Sequence, residues 1–129
     1  MNNLVFRFVG VAAIFCSVGS LSAQVPQGLA ESWTVFAGTG RPDSPIAVKP
    51  SDPKNVSLRN VYGIEVTDDA IFFSTVDDHS IWKCDRQGRS IVRVAGTGEL
   101  GFSGDGGSAL QATFNAPHEI RADPSGNLY

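Results

Sequence analysis

The sequence predicts an all-β fold built from a repeated four-stranded antiparallel unit, on three observations. The run Val35-Phe36-Ala37-Gly38-Thr39-Gly40 returns as Arg93-Val94-Ala95-Gly96-Thr97-Gly98, a displacement of 58 residues. A second pair, residues 58–66 and 114–122, aligns at a displacement of 56, the difference being a length change in the loop between the two matches. Between the repeats, apolar runs of about five residues alternate with turn residues, and no stretch carries helical periodicity of useful length.

Taken in order, the elements begin with a leader. Arg7 gives residues 1–7 a positive charge, residues 8–18 form an apolar core, and Gly19-Ser20-Leu21-Ser22-Ala23 is small and polar. These are the three parts of a secretory signal cut after Ala23, although Leu21 departs from the small-residue rule. The core falls short of the roughly 20 residues a membrane span needs. Phe15 is too bulky before Cys16 for a lipid-anchor signal. The expectation is a secreted or periplasmic protein, with no membrane span after signal removal.

Residues 32–37 read as a lone strand. Residues 41–56 contain Pro42, Pro45, Pro50 and Pro53, which exclude a regular helix or a central strand. Strands are expected at 62–66 and 70–75 around the turn Thr67-Asp68-Asp69, then at 80–84 and 91–95. Gly88 supplies the positive φ of the turn at 85–89. Six glycines crowd residues 96–107, and 108–112 fit one helical turn. Four short strands joined by turns make an antiparallel meander, the build of a propeller blade. Trp33, Trp82, Phe72, Phe73 and Tyr62 are the side chains expected to fill the space between blades.

Several motifs resemble those of a known family. Asp78-His79-Ser80-Ile81 resembles the Asn-His-x-Ile core of NHL repeats. The runs Val94-Ala95-Gly96-Thr97-Gly98, Gly101-Phe102-Ser103-Gly104-Asp105-Gly106-Gly107-Ser108-Ala109 and Ala112-Thr113-Phe114-Asn115-Ala116-Pro117 are similar to the long-loop NHL repeats of exported bacterial propellers. Asp123-Pro124-Ser125-Gly126-Asn127-Leu128-Tyr129 is similar to the family's Asp-x-x-Gly-Asn-Leu-Tyr turn. The resemblance covers residues 33–129. Asp78 replaces the family Asn, and Glu119 stands where a glycine is usual, as Gly63 does in the first copy. It implies an NHL-type β-propeller with four-stranded antiparallel blades. About one complete blade is expected, at 58–95, with parts of two others: a closing outer strand at 32–37 and the start of the next blade at 114–129. Residues 24–129 then form the N-terminal part of a longer disc, since six blades at this period would take on the order of 340 residues. The signature positions, read as structural, are Asp78, His79, Ile81, Gly96, Gly98, Gly104, Asp105, Gly106, Gly107, Pro117, Asp123, Gly126 and Asn127.

Charge and chemistry narrow the function. All 13 acidic residues follow Ala23, and losing Arg7 leaves nine basic residues, a balance of −4. An acidic chain without a Lys/Arg cluster gains no counterion-release energy, so nucleic acid is excluded as a partner. Cys84 alone survives signal removal, so no internal disulfide or Cys-pair metal site forms; it reads as a small buried hydrophobe. Gly96-Thr97-Gly98-Glu99-Leu100-Gly101 matches G-x-G-x-x-G, but the glycines that follow cannot open the helix on which that fingerprint depends. Asp105 is the only acid in Gly104-Asp105-Gly106-Gly107-Ser108, which suits a turn bonded through its carboxylate better than a calcium loop. His79 is read as packing and bonding a turn. His118 and Glu119 lie near the expected central channel, but adjacent strand residues point to opposite faces and do not cooperate as an acid/base pair.

No catalytic residues and no cofactor are assigned. The resemblance and the lack of a catalytic set point to a non-catalytic scaffold binding a protein, peptide or glycan through inter-blade loops. The alternatives are a metal-dependent hydrolase resembling gluconolactonase-type propellers, its site carried by further blades, and the sensor domain of a larger exported protein.

Overall fold

The computed structural model describes residues 4–6, 34–39, 41 and 49–129. The expected leader therefore lies outside the described residues, apart from the backbone of Leu4–Phe6. The fold is all-β: the described residues contain strands and two single turns of 3-10 helix, without an α-helix. The strands are β1 (Leu4–Phe6), β2 (Thr34–Ala37), β3 (Val61–Val66), β4 (Ala70–Thr75), β5 (Ser80–Asp85) and β6 (Ile91–Ala95). β3 to β6 form one antiparallel sheet in sequence order. Their limits match the expected strands to within one residue.

The middle of this sheet is buried on both sides. Ala70, Ile71, Phe73, Ser74 and Thr75 of β4 are all buried, as are Ser80, Ile81, Trp82 and Cys84 of β5. Continuous apolar and β-branched runs of this kind suit a strand with no solvent face. On one face, Ile71 lies opposite Cys84 and Phe73 opposite Trp82. With Ile91, these side chains pack on Ala37, Val56 and Leu58. Burying Trp82 and Phe73 fully is worth roughly 1.5–3 kcal/mol each. The indole N–H donates to Thr75 Oγ1 (3.1 Å), and that hydroxyl donates to the Ser80 carbonyl (3.1 Å), so the buried ring leaves no orphan donor.

Residues 114–122 cover the other face. Ser74 Oγ accepts from the Gly63 N–H (2.7 Å) and donates to the His118 carbonyl (2.8 Å). Glu65 Oε1 accepts from the Ala122 N–H (3.2 Å), and Ile120 is buried. A Cβ on Gly63 would strike the His118 carbonyl oxygen, which explains a glycine inside a strand.

The sequence repeat is also a structural one. The Gly38 and Thr39 N–H groups donate to the Pro53 and Val56 carbonyls (2.8 and 3.0 Å), and those of Gly96 and Thr97 donate to Ala109 and Ala112 (both 2.9 Å). The 3-10 turns Pro53–Asn55 and Ala109–Gln111 sit 56 residues apart. The positive φ values of Asn60 (53°) and Ala116 (51°) share that spacing. The first of these turns arises inside the proline-rich segment, where Pro53 opens it and Asp52 accepts from the Lys54 N–H (2.9 Å). β1 also sits on β2 as β5 sits on β6. Leu4 opposes Ala37 and Val5 opposes Val35, just as Ile81 opposes Ala95 and Trp82 opposes Arg93, with a register shift at the same step.

Candidate functional site

Of the signature residues, His79 and Gly96 meet the following repeat unit, near Ala116 and Phe114. Asp78 is buried, and its carboxylate accepts from the Arg59 backbone N–H (3.0 Å) and from Arg59 Nε. Ser80 Oγ donates to the Asp78 carbonyl (2.6 Å). His79 holds a positive φ of 45°, and its Nδ1 accepts from the Ala116 N–H (3.1 Å). It therefore bonds the following unit. Gly96 closes over the same corner with φ 87°, where a Cβ would strike the His79 carbonyl. Ile81 is buried and Pro117 half-buried.

Residues 96–113 form a stiff loop. The Gly101 N–H donates to the Phe114 carbonyl (3.0 Å), and Ser103 and Thr113 bond each other through backbone and hydroxyls. Gly98 and Gly104 both take positive φ, and a Cβ on Gly104 would lie 2.7 Å from Ala112 Cα. The turn over Asp105 and Gly106 is closed from the Gly107 N–H to the Gly104 carbonyl (3.0 Å). This corrects the expectation for Asp105: backbone closes that turn, and the carboxylate stands exposed. The Gly107 N–H and Gly104 carbonyl close the turn by themselves, so it does not need a side-chain acceptor to hold it.

This stiff loop displays apolar side chains. Phe102 is 89% exposed and Leu100 66%, and Leu110 further along the loop is also exposed. Sequence reading passed over Phe102 because its neighbours are glycines and polar residues, with no periodicity to mark a face. A large aromatic held out on bonded backbone avoids much of the ordering cost of binding.

The last turn repeats an earlier one. Asp123 Oδ1 accepts from the Ser125 and Asn127 N–H groups (2.8 and 2.9 Å), and Gly126 takes φ 86°. Asp85 Oδ1 accepts from Gln87 and Arg89 (3.0 and 2.9 Å), and Gly88 takes φ 68°. The Asn127 side-chain amide and backbone N–H hold the Asp123 carboxyl below its ordinary value. For Asp85, the Arg89 backbone N–H is the largest of the causes that lower it, joined by the Arg89 charge and the Gln87 N–H.

His118 and Glu119 are both exposed and serve different partners. The His118 ring meets Tyr62 edge-on, with centroids 4.4 Å apart, while Glu119 pairs with Arg121 Nη2 (3.0 Å). The structure does not bring the two together. Among the described residues, no three His, Cys, Asp or Glu side chains gather where one metal ion could be held. Two hollows flank residues 114–129. One, of about 480 Å3, includes Glu65, Asp68, Lys83 and Asp123; the other, of about 560 Å3, is mainly apolar. No protein-family model matches the chain, and no curated protein matches it.

Proposed function

We propose that this chain is part of an exported NHL-type β-propeller that acts as a non-catalytic scaffold, binding a protein, peptide or glycan on its inter-repeat loop. The observation that carries the reading is the display of Phe102 and Leu100 on hydrogen-bonded backbone. A four-stranded antiparallel sheet with repeat-related joints on either side supports the propeller architecture. The signal-like leader supports export. Fold alone does not fix a ligand, so the loop chemistry carries the argument.

The test is a screen of the full chain against a glycan array and a displayed peptide library, followed by Phe102→Ala. Binding of the best ligand should weaken by about tenfold or more, as for an aromatic anchor. The circular dichroism spectrum should not change, because Phe102 packs on little. A ligand indifferent to Phe102 and Leu100, or none in either collection, would remove the reading.

A further inference from the structure

We infer that the loop at 96–113 takes a basic peptide, a segment in which a large apolar side chain is flanked by Lys or Arg. The inference rests on the display of Phe102 and Leu100 that carries the proposed function, and it names the partner from the charges around them. Gly101 turns its open side to Thr113, where a Cβ would lie 2.6 Å from the hydroxyl oxygen, and Leu100 and Phe102 on either side of it are exposed. Glu99 precedes the pair and Asp105 follows it, both exposed.

These two acids have no structural task. Elsewhere the carboxylates are engaged within the fold. Asp52, Asp78, Asp85 and Asp123 accept backbone N–H groups, as Glu65 does from Ala122. Asp77 accepts from the Asn60 side-chain amide, and Glu119 pairs with Arg121. Among the described residues, the carboxylates that neither accept a hydrogen bond nor meet a cation are those of Asp68, Asp69, Glu99 and Asp105. The last two flank Phe102. No Lys or Arg occurs in residues 94–120. Arg93, at the foot of the loop, is part-buried and donates from Nη1 to the Thr97 carbonyl. The loop therefore sets apolar surface between two uncompensated negative charges.

The sign of that charge selects the partner. A neutral glycan gains nothing from the carboxylates, while an acidic glycan or an anionic lipid surface is repelled by them. A basic peptide gains twice: its apolar side chain covers Phe102 and Leu100, and its cations meet Glu99 and Asp105 at the rim. The Gly101–Phe114, Ser103–Thr113 and Gly107–Gly104 bonds hold the loop's backbone before any partner arrives. Charges placed in this way act on the choice of partner and the rate of encounter more than on raw affinity.

The experiment selects a displayed peptide library on the full chain at about 50 mM salt. Retained peptides should be enriched in Lys and Arg next to an apolar residue and depleted of Asp and Glu. For the best of them, Glu99→Gln with Asp105→Asn should weaken binding by about two- to fivefold for each charge removed. The difference should shrink at about 500 mM salt, where screening cuts the reach of exposed charges to a few ångströms. Asp68→Asn with Asp69→Asn removes the same net charge from unengaged acids outside the loop and should leave binding unchanged. All four residues are exposed, so both double variants should keep the circular dichroism spectrum of the parent. A retained set without basic bias, an equal loss or no loss in the two double variants, or a Phe102-dependent glycan with no basic peptide would overturn the inference. Binding that needs Phe102 and ignores the acids would leave the proposed function standing and remove only its basic partner. Binding that needs neither would remove both.

Discussion

Cys84 shows how position decides the chemistry of a single side chain. Its thiol is buried in the core opposite Ile71, and burial pushes its pKa up to about 12, with the Asp85 charge adding to the effect. The thiolate is the reactive form, so at pH 8 the native thiol should label with iodoacetamide about a thousand times more slowly than in denaturant. Mass spectrometry of timed samples measures the ratio, and equal rates would place the thiol outside the core. Gly63 illustrates the opposite constraint, a residue chosen for what it lacks. Gly63→Ala forces a methyl onto the His118 carbonyl and to within 2.7 Å of Ser74 Oγ. Separating β3 from residues 118–119 should cost about 2–3 kcal/mol of protection at the β4 amides, read by hydrogen exchange. Gly126→Ala meets open space and should cost only the strain of φ 86°, about 1 kcal/mol. A reversed order would mean that the contact between the two units is slack.

The turns are the elements most exposed to pH. Asp85 and Asp123 each accept two backbone N–H groups from the chain that follows, so both carboxyls ionise below their ordinary value of 3.8. A depressed folded pKa stabilises the fold fully above the unfolded value, and that contribution is lost as pH falls through the folded value. Both turns should therefore open in acid below about pH 4, seen as loss of amide protection at Gln87, Arg89, Ser125 and Asn127, with no change between pH 5 and 8. In Asp85→Asn and Asp123→Asn the acid step should vanish at the altered turn alone. Such turns were legible in sequence because Asp-x-x-Gly states its mechanism locally, and the strands of the sheet were legible because turn residues bracket each of them. The 3-10 turn at Pro53–Asn55 was not, since prolines read as a bar to regular structure while one of them opens a single helical turn. Nor was the loop's apolar tip. Phe102 looks like one aromatic among glycines until the Ser103–Thr113 bonds show that the loop holds it outward.

Across the whole molecule, the two faces of the sheet are unequally covered. One carries a closed core of Trp82, Phe73 and Ile91 against β2 and residues 53–58; the other carries residues 114–129 over a partly open floor. In a repeat protein, stability is roughly a sum of unit terms and interface terms, and here the face under residues 114–129 is the less covered of the two. Residues 24–129 should accordingly not unfold as one cooperative unit. Hydrogen exchange should show 114–129 opening first, with β4 and β5 protected until the first core fails. Removing residues 1–23 also takes away β1, so exchange at β2 should rise while the centre of the sheet is unchanged. Calorimetry gives an independent check, because two units melting separately make the van't Hoff enthalpy smaller than the calorimetric one. A single sharp transition with equal enthalpies in a monomeric sample would sink the prediction. It would mean that Ser74, Glu65 and His79 bind the second unit strongly enough to melt with the first, with the open floor costing the fold little.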